Sequence, residues 1–166
     1  MLKPGFEKQA PFEEPRRDED VDMKSSVKIR ARIRFDYRGK ARPSRFFFGG
    51  KGTEEAAGEL REQQAALWRN VPVQGVFIEN IELGKIYTVY DEEMDGEIAF
   101  APLELEVIAD SLSFLIRFAV KEEFRRLKIM EPLGLKMSVQ EMEQVFFEVH
   151  SQTKTQWMQR FRRYAD

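Results

Sequence analysis

Residues Val27–Tyr37 read V-K-I-R-A-R-I-R-F-D-Y. Val27, Ile29, Ala31, Ile33, Phe35 and Tyr37 hold one parity, and Lys28, Arg30, Arg32, Arg34 and Asp36 hold the other. Successive side chains of a strand leave opposite faces, so only extended backbone separates two chemistries at a period of two. The stretch predicts a sheet with an apolar face that must be buried and a second face that carries cations.

On the C-terminal side, Arg38-Gly39-Lys40-Ala41-Arg42-Pro43 reads as a turn or loop, and Phe46-Phe47-Phe48 before Gly49-Gly50 as a short hairpin partner. Thr53 opens a helix whose first turn holds Glu54 and Glu55, where the helix dipole favours acids. Ala56, Ala57, Leu60, Leu67 and Trp68 are its expected apolar stripe, and Asn70 with Pro72 ends it. Val76–Ile78 and Ile86–Tyr90 are strand-like, and Asp95-Gly96 is a turn signal. Ile98–Phe100 and Leu103–Val107 extend a further strand, in which Glu104 and Glu106 alternate with apolar residues.

Asp110 is placed to cap a helix whose stripe is Leu112, Leu115, Ile116 and Ala119, with Phe114 and Phe118 on its other side. Leu127–Met130, ended by Pro132, fits either a last strand or the tail of one long helix from Asp110; the periodicity is the same for both. Ser138-Val139-Gln140-Glu141 is a capping box, so a helix starts there. Val139, Met142, Phe146, Val149, Trp157, Phe161 and Tyr164 share an arc of roughly 120°, and the arc runs across His150 and Thr153. This helix either continues to Tyr164 or breaks within the polar stretch Ser151–Thr155.

The order of elements predicts an α+β protein: an antiparallel sheet with helices on one face, in a ferredoxin-like βαββαβ core plus a C-terminal amphipathic helix. Residues 1–25, with three prolines and no apolar period, form a mobile arm; 26–133 form the core domain; 134–166 form the helical extension. In that plan the first and third core strands are neighbours. Arg30 and Arg32 would then face Glu104 and Glu106, each pair stabilising by a few tenths to about 1 kcal/mol.

The formal net charge of -2 gives no global attraction to nucleic acid or anionic lipid, and 14 Phe can fill a real core. There is no cysteine, which excludes disulfides and thiolate metal sites. The N-terminus lacks an apolar signal core, and no run nears the roughly 20 apolar residues that span a bilayer. The expectation is a cytoplasmic protein without membrane contact.

The basic strand and loop offer Lys28, Arg30, Arg32, Arg34, Arg42, Arg45 and Lys51 as candidate contacts to an anion or nucleic acid, with Phe46–Phe48 as candidate stacking rings. RNA-recognition sheets carry aromatics on the open face of their central strands, whereas arginines stand there in this chain. Gly49-Gly50-Lys51-Gly52-Thr53 falls short of a phosphate loop, because Arg45 and Gly52 replace the required Gly and hydroxyl residue. Asp91–Gly96 begins like a calcium loop, yet its twelfth position is Pro102 instead of a bidentate Glu. His150 is the only histidine, and no Ser or Cys nucleophile motif accompanies it. No motif calls for a cofactor or a metal. On the last helix, Phe146, Trp157, Met158 and Phe161 are either the lid of the protein's own core or a contact for a protein partner or a second copy.

Asp95-Gly96, Leu103–Val107, Asp110–Phe118 and Leu127-Lys128-Ile129-Met130-Glu131-Pro132 together resemble the C-terminal extension of WYL-domain transcriptional regulators. The resemblance covers residues 95–132. It departs where that family has Phe-Gly before the last strand, since Lys121–Phe124 stand there instead. Neither the helix-turn-helix of such regulators nor a WYL motif is present. The resemblance implies a regulatory or ligand-sensing accessory domain and transfers no site residue. The first functional expectation is a non-enzymatic binding or regulatory module acting through protein contacts or self-association. The second is nucleic-acid binding through residues 28–51, and the third an enzyme acting on a small anion.

Overall fold

The alternation at the start of the chain becomes the central strand of a sheet. The computed structural model describes residues 27–39, 52–92 and 95–165, with backbone only for Arg160 and residues 162–165. Arg42, Arg45, Lys51, Phe46–Phe48 and the N-terminal arm lie outside the described residues. Strand β1 is Ile29–Arg38, helix α1 Thr53–Asn70, β2 Val76–Leu83, β3 Tyr87–Asp91, β4 Gly96–Ala109, α2 Leu112–Ala119, β5 Phe124–Glu131 and α3 Val139–Ala165. The sheet has five strands, ordered β2-β4-β1-β5, with β3 pairing the first part of β4, and every pairing is antiparallel.

The odd parity of β1 is the dry side. Ile29, Ala31, Ile33, Phe35 and Tyr37 are buried, as are Leu103, Leu105, Val107 and Ala109 of β4. They form one cluster with Ala65 of α1 and Leu115 and Phe118 of α2, so both helices cover this face. Phe35 is its centre: the rings of Tyr37, Trp68, Phe118 and Phe124 lie 6.2, 6.2, 6.4 and 6.5 Å away. Offset and edge contacts of this kind add to the area that each ring buries.

The helices differ in detail from their sequence patterns. Ala57 and Ala65 carry the buried line of α1, with Leu60 and Trp68 beside them, whereas Leu67 points to solvent. On α2 the buried residues are Ser113, Leu115 and Phe118; Ala119 is exposed. Phe118 replaces it because the helix leans on β1 and α1 through its aromatic side. Gly39 is where β1 meets the start of α1: a Cβ there would lie 1.9 Å from the Thr53 carbonyl oxygen. Close backbone approach of this kind admits only glycine.

Leu127–Met130 is a strand, part of β5, and no long helix leaves Asp110. The capping box closes as the sequence implies. The Ser138 amide donates to Glu141 Oε2 at 2.6 Å and the Glu141 amide donates to Ser138 Oγ at 3.2 Å. From there α3 runs unbroken through Ser151–Thr155. Among the described residues, no helix is long and apolar enough to cross a membrane.

Candidate functional site

Two surfaces bear on function. The first is the face of the sheet that α1 and α2 leave uncovered. The register of β1 on β4 places Arg32 opposite Glu106 and Arg34 opposite Glu104, with Arg30 opposite Ile108. The expected pairing of Arg30 and Arg32 with Glu104 and Glu106 is therefore off by one same-face position. Arg30 instead reaches past Ile108. Its Nε lies 2.9 Å from Glu79 Oε2 and its Nη2 3.7 Å from Glu106 Oε2. Arg32 Nε donates to Glu106 Oε1 at 3.1 Å, and its Nη2 contacts the same oxygen. That hydrogen bond, and then the charge of Glu106, raise the Arg32 pKa above its ordinary value.

Asp36 anchors the end of this face and has no counterpart in the sequence expectations. Its side chain is almost wholly buried and collects three donors. Arg34 Nε donates to Oδ1 at 2.9 Å, the Tyr87 hydroxyl donates to Oδ2 at 2.7 Å, and Arg125 Nε lies 3.4 Å from Oδ2. Arg125 also lies over the Phe100 ring, which stacks on Tyr87. A buried carboxylate is tolerated when donors surround it in this way. Burial first, and then the bond to Asp36, raise the Tyr87 pKa. The Arg34 pKa is raised first by its bond to the same carboxylate. A signal was present in the sequence, since Asp36 is the one acid among the outward positions of β1; nothing marked Tyr87 or Arg125 as its partners.

Beside this cluster is an open cleft of about 550 Å³ lined by Arg34, Glu82, Leu83, Lys85, Tyr87 and Glu104, among others. Glu82 and Glu104 are cross-strand neighbours. These two carboxylates line the cleft beside Arg34 and Lys85 and oppose a small anion there. Among the described residues, no three His, Asp or Glu side chains are placed to hold a metal ion. Lys28 and Lys128 have no carboxylate partner among the described residues, but they stand at separate places on the face.

The second surface is α3. It packs mainly on α2. Val145, Glu148, Gln152 and Gln156 are half-buried along one side. The apolar stripe faces elsewhere. Phe146 is 70% exposed and Trp157 and Phe161 are each 61% exposed, with Val139, Met142, Phe147 and Met158 also in solvent. The stripe is therefore not the lid of this core. The physical reason is that α1 and α2 already close the dry side of the sheet over β1 and β4, so α3 is not needed as its cover. Between Phe146 and Trp157 the helix surface forms a hollow of about 430 Å³, lined also by Val149, His150, Thr153 and Lys154. Trp157 and Phe161 hold each other at a ring separation of 5.0 Å.

No protein-family model and no curated protein sequence matches this chain. The sheet face holds Arg30, Arg32 and Arg34 beside their carboxylates. The helix face is apolar, long and uncovered.

Proposed function

We propose that this protein is a non-enzymatic binding or regulatory module that self-associates through the apolar stripe of α3. One observation carries the reading: a 27-residue helix that turns a polar side to its own protein and leaves Phe146, Trp157 and Phe161 in solvent. Aromatic side chains offer about 150–250 Å² each. The exposed parts of Phe146, Phe147, Trp157 and Phe161 thus leave on the order of 500 Å² uncovered, large for a monomer and a substantial part of a standard interface. Two edges of the sheet are guarded: Arg125, Arg126 and Lys128 on β5 and Glu79 and Glu82 on β2 are charges of the kind that prevent edge-to-edge pairing.

Within this reading the sheet is a scaffold. We take β1, β2, β4 and β5, with α1 and α2, as a ferredoxin-like core, and β3 as an insertion that lengthens the β4 hairpin; the order β2-β4-β1-β5 supports that assignment. The resemblance of residues 95–132 to the extension of WYL-domain regulators supports a regulatory or accessory role. Phosphates approaching Arg30, Arg32 or Arg34 would compete with carboxylates already in place. Sedimentation velocity of the full chain tests the proposal. A dimer that Trp157→Ala dissociates is expected, and a monomer at every concentration contradicts it.

A further inference from the structure

We infer that the second copy lies antiparallel on α3, related by a two-fold axis that passes the helix between Ser151 and Gln152. The inference rests on the preceding reading that α3 is the self-associating element. It adds the orientation, the register and the residues that set them.

The stripe has a symmetry of its own. Its central row is Val139, Met142, Phe146 and His150, then Thr153, Trp157, Phe161 and Tyr164, with Val149 at its margin. The intervals run three, four, four, three, four, four, three, so the pattern is the same read from either end. An antiparallel copy therefore brings Val139 level with the position of Tyr164, Met142 with Phe161, Phe146 with Trp157, and His150 with Thr153. Thioether meets aromatic in the layer between Met142 and Phe161, and the two large rings of Phe146 and Trp157 meet beside the axis. Sulfur and ring contacts of this kind are favourable beyond the area they bury. The steps average about 3.6 residues, the period of a straight helix, so the seam stays on one face over about 38 Å without supercoiling.

Charge selects the same orientation. Glu141 and Glu143 lie in the first half of α3, and Lys154, Arg160, Arg162 and Arg163 in the second; Glu148 belongs to the side turned to its own protein. The helix dipole favours this order only within the first and last turns. Lys154 is beyond its reach, so the dipole does not account for the whole separation. An antiparallel copy sets each acidic half along a basic half, within a Debye length of about 8–10 Å. A parallel copy sets like on like. In the middle, His150 and Thr153 are the polar positions of the seam. Polar residues at single seam positions fix register at a cost in affinity. A shift of one turn would put an imidazole against a large ring in place of the partner's threonine.

The chain has no cysteine, so single thiols report the geometry directly. Met142→Cys and Phe161→Cys are made separately in the full chain, and each is oxidised alone and as an equimolar mixture. The expected result is a disulfide-linked dimer in the mixture and monomeric species from each variant alone. Circular dichroism melts recorded where the chains are monomeric should match the parent chain, because both positions are exposed in the single copy. His150→Leu should tighten the dimer about tenfold with the same cross-linking pattern, as an apolar side chain replaces a polar one at the seam. Cross-linking of each variant with itself indicates a parallel pair and overturns the orientation while leaving self-association intact. A dimer in sedimentation without any cross-link places the contact on another face and overturns the inference. A monomer overturns it together with the proposal on which it rests. A chain lacking residues 1–26 that dimerises where the full chain does not would identify the N-terminal arm as the occupant, which also overturns it.

Discussion

The open face of the sheet and the stripe of α3 are both exposed, but only one is complete. On the sheet, Arg30 meets Glu79, Arg32 meets Glu106, and Arg34 meets a buried Asp36 that also holds Tyr87 and Arg125. On the helix, Phe146, Trp157 and Phe161 meet water. Density of charge in a sequence thus proves a poor guide to where a protein binds, because charges of both signs on neighbouring strands satisfy each other. An apolar stripe on a helix end has no such internal remedy. It must be covered by packing or by a partner, and the core of this protein is already closed without it.

The largest expected effect lies on the helix. Phe146→Glu combined with Trp157→Glu puts four charges into the two-fold contact and should weaken association at least a thousandfold, about 4 kcal/mol, by sedimentation equilibrium. The same variant should leave the unfolding free energy within about 0.5 kcal/mol of the parent chain, measured where both are monomeric. A large loss of folding stability would mean that the stripe belongs to the core after all.

On the sheet the expectation is reversed. Asp36→Ala strands Arg34, Arg125 and the Tyr87 hydroxyl, and should cost about 2–3 kcal/mol of folding stability by urea denaturation. The dimer should survive it.

The dry side supplies a pH test. Burial pushes the Tyr37 hydroxyl up to about 12. Below about pH 10, the ordinary tyrosine value, both folded and unfolded chains keep the proton, and the stabilisation is complete. Between about 10 and about 12 the unfolded chain loses its proton first. Stability should therefore fall by up to about 2–3 kcal/mol as pH rises through this window. Tyr37→Phe should flatten most of that slope in denaturation curves recorded from pH 9 upward.

The smallest effect belongs to the partly exposed pairs. Glu106→Gln should cost about 1 kcal/mol or less, since Arg30 keeps Glu79 and Arg32 remains solvated. A much larger loss would mean that the arginine row needs Glu106 to stay in place, and that the sheet face is less self-sufficient than its geometry implies.

Much of the fold was legible where a period was strong. The alternation of Val27–Tyr37 located β1 to within two residues and assigned its buried parity, because a slip of one residue would turn its whole apolar set to the other face. The Ser138 and Glu141 box located the start of α3 because its two hydrogen bonds are local. Register was not legible. Arg32 and Arg34, and not Arg30, face the glutamates of β4, since pairing depends on how two distant strands slide. The fate of Leu127–Met130 was equally closed, because four residues are too few to tell a period of two from one of 3.6. As for the site, Phe146, Trp157 and Phe161 were visible as a stripe, but whether a core would cover them depended on how completely α1 and α2 close the sheet. That is a property of the assembled layers, and it is also why Asp36 escaped notice: two of its three donors arrive from β3 and β5.

The most direct test of the account is the accessibility of Trp157 in the full chain. Trp68 is half-buried against Phe35 and Phe118, away from α3's stripe, and provides a constant background of emission. Acrylamide quenching is followed as protein concentration rises from below micromolar to near-millimolar. The account predicts that quenching of the exposed component falls and its emission moves to the blue as α3 is covered by a second copy. Quenching that stays complete and unchanged across that range would contradict it.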